Sequence, residues 1–443
     1  MADRGTERTA RPGRNGTIGY VLMGYPRMTE LFIASEIWRL EQNGVPLRLF
    51  VLKPRDEERH HRVVGEIRTV PEYLPTAAAL KARPFHQWVR QNVPRFLPAL
   101  RREARRHPLR VARCAAWAVA LAVEGRKGWK PTKVPAREFL RAVALADMLH
   151  DSPEVSHLHA HFAHGTTTVT WWASIISGRS FSFTGHAKDI YERSQNPGGL
   201  LARKMRAARF VVTCTGANHD YLESVGVDVP IHLVYHGLNT DFTRLLAQSP
   251  PAAPPQRFRV IGVGSLVHKK GFDLLVEAVA ILRRRGVALD AVIAGGGGDN
   301  AEEIRTMIRE RGLTDAVTLL GPVTQEQLLD EYRRSSVFAL PCRVTENGDR
   351  DGIPNVMVEA MAAGLPAVST PVSGIPELIE DGVNGVLVAP ESPEALADGL
   401  QRLAGDPALC ERLARAGRAT VQERFDGDVL ALRMAALFRA VGE

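Results

Sequence analysis

The alternation that begins after residue 257 constrains this chain more than any other feature. Short apolar runs trade places with longer stretches of helical period: strand-like 258–263, helical 272–285, strand-like 289–294, helical 301–311, strand-like 317–320, helical 325–334, strand-like 337–340, helical 355–363 and strand-like 367–369. The connections are short and glycine-rich. Such alternation predicts an α/β architecture, a doubly wound parallel sheet that takes its ligands at the carboxyl ends of the strands.

The first half follows the same logic less regularly. Residues 17–23 (TIGYVLM) form an apolar run ending in Gly24, residues 31–40 carry a helical stripe of Phe32, Ile33, Ile37, Trp38 and Leu40, and 47–52 is the next strand. This β-α-β opening suggests a second parallel sheet. Strand-like runs return at 155–159, 180–184, 210–214 and 231–234. Between them, about 81–147 reads as an amphipathic helical insertion that the prolines at 84, 94, 98 and 108 should break into pieces. Residues 248–257 (QSPPAAPPQR) hold four prolines in ten positions, the composition of a linker. The expected layout is a basic tail (1–16), a Rossmann-like domain (17–245), a linker (246–257), a second Rossmann-like domain (258–425) and a terminal helix (426–443) packing back on the first domain. Two such sheets would face each other across a cleft.

Composition limits the function classes. At 443 residues the chain is too long for one ordinary core. The four cysteines are scattered without CxxC spacing, which argues against a disulfide framework and a zinc ribbon and fits a reducing cytoplasm. The N-terminus lacks the apolar segment of a secretory signal. The longest clean apolar run, 114–123, is too short to span a bilayer. The formal charge of +8 is concentrated between Lys81 and Arg141, where it could meet nucleic acid, anionic lipid or a phosphorylated substrate. No nucleic-acid motif accompanies it. Peripheral contact with the inner face of a membrane is therefore weighed against a plain solvated cover over the sheet.

The segment that concentrates chemistry is DGIPNVMVEAMAAG, residues 351–364. Pro354 suits a first helical turn and Gly364 a stop. The helix between them is apolar nearly all round, with Glu359 its only charge. A carboxylate in such a helix is costly unless paired. Asp351 sits just ahead, so both acids can face a ligand whose phosphate meets the free N–H groups at the helix start. The competing reading is that Asp351 merely caps the helix and Glu359 meets a buried arginine.

This segment resembles the two-acid signature of the retaining glycosyltransferase family 4, whose members have the GT-B architecture. The family usually has Glu-Gly-x-Pro and then Glu-Ala-Met-Ala-x-Gly-x-Pro. Here Asp-Gly-Ile-Pro precedes Glu-Ala-Met-Ala-Ala-Gly-Leu-Pro, so the first acid is one methylene shorter. The resemblance implies that Asp351 contacts hydroxyls of a donor sugar and Glu359 the ribose. The backbone of Gly352, Ile353, Pro354 and Asn355 would meet the diphosphate or sugar. The stretch 264–273 (GSLVHKKGFD) looks like the family's phosphate loop, with Lys270 in place and Ser265 where an arginine is usual; Lys269 or His268 is the candidate substitute. In the first half, 25–40, 157–168 and 181–191 are similar to the exopolysaccharide or colanic-acid-type branch. That likeness implies an acceptor side at the Gly24 turn, Glu30, His186 and its companion Asp189, with His186 at the cleft.

The resemblance further implies transfer of a hexose-type sugar from a nucleoside diphosphate to an acceptor hydroxyl with retention. Lys270, Asp351 and His186 would be the catalytic group, with no metal or other cofactor. His157, His159, His161 and His164 are read as structural rather than as a metal site. The acceptor class stays open between a lipid-linked or polysaccharide sugar and a soluble scaffold such as an aminocyclitol. A non-catalytic nucleotide-sugar-binding role is the remaining alternative.

Overall fold

The computed structural model describes residues 16–27, 30–53, 61–77, 80, 84–125, 132–248 and 257–442. The first fifteen residues of the basic tail and residues 249–256 of the proline-rich segment lie outside these.

The first sheet contains β1 (Thr17–Leu22), β2 (Leu47–Val51), β3 (Pro71–Tyr73), β4 (Val155–His161), β5 (Ser180–Gly185), β6 (Val211–Thr213) and β7 (Ile231–Leu233). They run parallel in the order β3-β2-β1-β4-β5-β6-β7. The second contains β8 (Arg259–Val263), β9 (Asp290–Ala294), β10 (Val317–Gly321), β11 (Val337–Leu340), β12 (Ala367–Ser369) and β13 (Val386–Leu387), parallel in the order β10-β9-β8-β11-β12-β13. Strand order reverses between β1 and β4 in one sheet and between β8 and β11 in the other. At these switch points the flanking connections leave to opposite faces, and a crevice opens beyond the strand ends.

Each sheet is buried by helices on both sides, which is why strands such as β1, β8 and β11 read as apolar runs, while β4 and β5 alternate apolar residues with buried histidine, serine and threonine. The second domain closes around one core that includes Phe272, Leu275, Phe338 and Met361. The first has two. One lies under the helical insertion and includes Trp88, Phe96, Trp172 and Phe183. The other is completed by the terminal helix Gly427–Gly442, whose Leu430, Met434, Ala435 and Phe438 lie among Ile18, Tyr20 and Ile37. Arg39 fixes that helix through Asp428 at 2.8 Å and also donates to the Leu238 carbonyl.

Two expectations need correction. Pro94 and Pro98 do not break the insertion: Phe85–Arg106 is one helix running through both. Trp88, Asn92, Phe96, Ala99 and Glu103 make a buried stripe along it, and Arg102 and Arg106 bridge to Asp147 on helix Val134–His150, so tertiary packing outweighs the lost backbone bonds. Residues 246–248, expected as linker, are the last turn of helix Thr240–Gln248. Among the described residues, no helix is long and apolar enough to cross a membrane.

Candidate active site

At the second sheet's switch point, the chain leaves β8 through Gly264 and Ser265, makes a short 3-10 turn at His268–Lys270, and enters helix Phe272–Arg284. Gly271 is required there. Its φ is 69°, and a Cβ would sit 2.0 Å from the Pro341 carbonyl oxygen at the end of β11. Gly295, at φ 126°, lets the neighbouring loop lie directly on Gly264, where a Cβ would be 2.2 Å from its carbonyl oxygen. The glycines thus lock two strand-end loops together and aim Lys270 across the crevice.

Lys270 Nζ lies 2.7 Å from Asp351 Oδ2; Lys269 Nζ lies 3.4 Å from Asp351 Oδ1 and 3.2 Å from Asp349 Oδ1. Burial alone would raise the Asp351 carboxyl, but the two lysines outweigh it and hold it below the usual carboxylate range. Burial likewise opposes the Lys270 charge, yet Asp351 keeps that ammonium above its ordinary value. Ser265 is exposed on the same loop. Gly352 and Ile353 lead to Pro354, which caps helix Asn355–Ala362 instead of occupying its first turn. The N–H groups of Asn355 and Val356 have no acceptor one turn earlier in the helix, while that of Met357 donates to the Pro354 carbonyl at 2.9 Å.

Glu359 is buried on this helix at 4% exposure, and burial pushes its carboxyl up to about 7. Its partner is not an arginine: the Asn239 amide, from just beyond β7, donates to Glu359 Oε1 at 2.5 Å. Asp351 is not the cap, which is Pro354; it pairs with both lysines.

The facing side belongs to the first sheet's switch point. His157 and His159 on β4 are fully buried and bond to Ser180, Ser182 and Thr184 on β5 at 2.8–3.0 Å. These two are structural. His161, at the end of β4, leaves that ladder and meets Tyr20, Glu36 and His186. The next residue, Phe162, has φ 72°, a strained conformation for an aromatic side chain. Its ring packs 4.6 Å from that of His186. Asp189 accepts from the backbone N–H groups of His186, at 2.9 Å, and Ala163, so it positions the loop. Burial pushes its carboxyl up to about 7. Lys204, fully buried, donates to the Ala163 and His164 carbonyls and to Asn196 Oδ1 at 2.8–2.9 Å.

Gly24 turns the chain after β1, and Glu30 precedes helix Leu31–Gln42, where it pairs with Arg27 at 2.7 Å. Among the described residues, no hydrogen bond or ion pair ties Glu30 to His186; Glu36 on that helix makes the connection instead. Glu36, His236, Lys204, Asn239 and Glu377 were not singled out from the sequence. His236 alone carried a readable signal, lying just past a strand-like run as His186 does.

The two faces touch. Glu377, on the second domain, accepts from the N–H groups of Gly216 and Ala217 at 2.6 and 2.9 Å and from the Tyr235 hydroxyl at 3.0 Å. Arg350 lies over the Tyr191 ring at 4.2 Å, and Lys188 is 3.7 Å from Asp349. Among the described residues, His186, Cys214 and His236 bring three potential metal ligands within 4.8 Å, and half-buried His219 with exposed Asp220 and Glu223 does the same. In the first trio the Cys214 thiol, pushed up to about 12 by burial, is a neutral group beside the His186 ring.

Two parallel-sheet domains with their strand-end crevices turned toward each other define the GT-B class. The fold matches a sucrose-phosphate synthase from Thermosynechococcus elongatus with a TM-score of 0.68 at 20% identity, covering 96% of this chain and 99% of that one. It also matches Anabaena HepE in complex with UDP, with a TM-score of 0.66 at 17% identity, covering 96% and 100%. Residues 247–420 match the family described as Glycosyl transferases group 1. The curated relatives agree. The amylovoran biosynthesis glycosyltransferase AmsK of Erwinia amylovora is 38% identical over 171 residues, 39% of this chain and 42% of that protein. The putative colanic acid biosynthesis glycosyltransferase WcaL of Escherichia coli is 35% identical over 208 residues, 46% and 50%. An alpha-D-kanosaminyltransferase of Streptomyces kanamyceticus is 32% identical over 183 residues, 41% and 46%. The chain thus spans about half the length of these relatives.

Proposed function

We propose that this protein is a retaining, metal-independent glycosyltransferase that moves a hexose-type sugar from a nucleoside diphosphate to an acceptor hydroxyl in polysaccharide or glycolipid assembly. The observation that carries the proposal is the Lys270–Asp351 pair at the second sheet's switch point, set against the half-buried His186 of the first. An anionic diphosphate would take over Lys270 and the helix N-terminus at Asn355, freeing Asp351 for sugar hydroxyls. Glu359 and Asn239 would receive the ribose. In the reaction the anomeric C–O bond to the phosphate breaks and a bond to the acceptor oxygen forms on the same face. The acceptor proton leaves on the phosphate oxygen. Lys270 and Lys269 offset the charge that grows there, so the residues present supply what a metal would.

A polysaccharide or lipid-linked acceptor fits the likeness to AmsK and WcaL. The likeness to the kanosaminyltransferase favours a second reading, transfer to a soluble scaffold. Helix Pro108–Glu124 supports the first. It turns Leu109, Val119 and Val123 outward, 84%, 66% and 46% exposed, beside Arg110 and Arg113. Next to it Trp117, Trp171, Arg113, Arg203 and Arg206 line a groove of about 410 Å³. Apolar side chains ringed by arginines suit an anionic lipid surface on the cytoplasmic side.

Release of nucleoside diphosphate from a panel of nucleotide sugars tests the function. Glu359→Ala should abolish turnover and weaken binding of the matching nucleoside diphosphate; unchanged binding and turnover would sink the assignment. Flotation with phosphatidylglycerol vesicles tests the surface, and Leu109→Asp/Val119→Asp should abolish it.

A further inference from the structure

We propose that Glu36 is a positioning residue for His186: acting through His161, its carboxylate decides which ring nitrogen of His186 carries the proton. The proposal rests on the glycosyltransferase reading only for its kinetic consequence.

Glu36, His161, His186 and His236 form one continuous chain. His161 Nε2 lies 3.2 Å from Glu36 Oε1, His161 Nδ1 lies 3.3 Å from His186 Nε2, and His186 Nδ1 lies 3.3 Å from His236 Nε2. Tyr20 donates its hydroxyl to Glu36. Phe32 covers the chain, its ring 4.4 Å from His236 and 5.4 Å from His186. The other ionisable groups facing it are His159 on β4, His164 beyond β4, Asp189 beneath the loop, and Cys214 after β6, whose Sγ is 3.9 Å from His186 Nδ1.

A neutral imidazole has one donor nitrogen and one acceptor. Burial keeps His186 and His236 neutral, pushing His236 down to about 4 and His186 further below its usual value. A carboxylate only accepts, and the Tyr20 hydroxyl, 2.8 Å from the same nitrogen, spends its proton on Glu36, so His161 Nε2 must carry the N–H. In a neutral His161 ring, Nδ1 is then a lone pair and must receive the Nε2 proton of His186. His186 Nδ1 becomes a lone pair in turn, toward His236 Nε2 and the Cys214 thiol. The reversed order would set a lone pair against the carboxylate. One charge on helix Leu31–Gln42 therefore orders every proton along the chain to the cleft. A glutamine at 36 can accept or donate, so both orders become available.

In the full-length protein, Glu36→Gln should lower kcat at least tenfold, with the donor being whichever of UDP-glucose or GDP-mannose the wild type uses. Calorimetric affinity for UDP or GDP, which bind the other domain, should stay within twofold. Combined with His186→Asn, it should cost no more than His186→Asn alone, as expected for residues acting in series. Wild-type kcat in Glu36→Gln, or additive losses, would overturn the proposal. A second measurement needs neither folding of Glu36→Gln nor turnover: ¹⁵N shifts in histidine-labelled wild type, assigned with His186→Asn, should show the Nε2–H form of His186. The Nδ1–H form would overturn the proposal. If the wild type uses neither donor, the glycosyltransferase reading loses its support while the tautomer result still decides the role of Glu36.

Discussion

The two faces of the cleft are built from opposite materials. The second domain presents formal charges, with Lys269, Lys270, Asp349 and Asp351 paired within 3.4 Å and with Lys270 and Asp351 each favouring the other's charged form. The first presents imidazoles kept neutral by burial, with its buried cation, Lys204, pushed down to about 7 and spent on carbonyls behind the site. A charged face suits an anionic leaving group, which can exchange one ion pair for another. A neutral face suits hydroxyls, where orientation matters more than charge. The same sheet topology thus serves two jobs through the residues at its strand ends.

The largest effect expected from breaking this contrast lies behind the neutral face. Lys204→Met leaves three oxygen acceptors without their donor and removes a cation that favours the charged forms of the buried Asp189 and Glu138, so stability should fall by about 3–5 kcal/mol in denaturant titration. A loss under 1 kcal/mol would mean that Lys204 does not organise the His186 loop. Next comes Lys270→Ala on the charged face. It should weaken nucleoside diphosphate binding by about 30- to 100-fold, the size of a lost charged hydrogen bond of roughly 2–3 kcal/mol. Equal affinity in wild type and variant would erase the proposed difference between the faces.

How much of this was legible in the sequence differs between the faces for the same reason. The fold was readable because strands buried on both sides show as apolar runs. The charged face was readable because Lys270 and Asp351 sit in strand-end loops, where position follows from local pattern. The partner of Glu359 was not, since Asn239 arrives from 120 residues away. The histidine chain draws on positions 20, 36, 161, 186 and 236, which only the tertiary fold assembles; Glu30 drew attention while Glu36, two turns of helix further, makes the contact. The unbroken helix Phe85–Arg106 shows the same limit, because packing of Trp88 and Phe96 overrides two prolines.

The two acids of the donor side should respond oppositely to pH. Asp351 is held below its usual range, so its contribution to stability is present at neutral pH and lost in acid. Glu359 is raised to about 7, so the folded state binds an extra proton between roughly pH 4.5 and 7. Stability should therefore fall as pH rises through that window, by about 2–3 kcal/mol. Asp189 and Glu138 titrate in the same range, so the term belonging to Glu359 is the difference between wild type and Glu359→Gln. Identical pH profiles for the two would contradict the assignment of a strained, protonated Glu359.

The smallest expected effect concerns how the faces are held together. Glu377 places its carboxylate on the N–H groups of Gly216 and Ala217, at the start of helix Gly216–Ser224, where the helix dipole favours it. Tyr235 adds a third donor. Glu377→Ala removes contacts worth about 1 kcal/mol in total, since these groups are partly exposed and water replaces the acceptor. The residue touches neither Lys270 nor the histidine chain, so nucleoside diphosphate affinity should change less than threefold. The domains should separate more readily, and the radius of gyration in small-angle scattering should rise without ligand and return toward the wild-type value on adding UDP or GDP. A radius unchanged in the free protein would show that the other contacts across the cleft, Asn239 with Glu359, Arg350 with Tyr191 and Lys188 with Asp349, keep the charged and neutral faces together without Glu377.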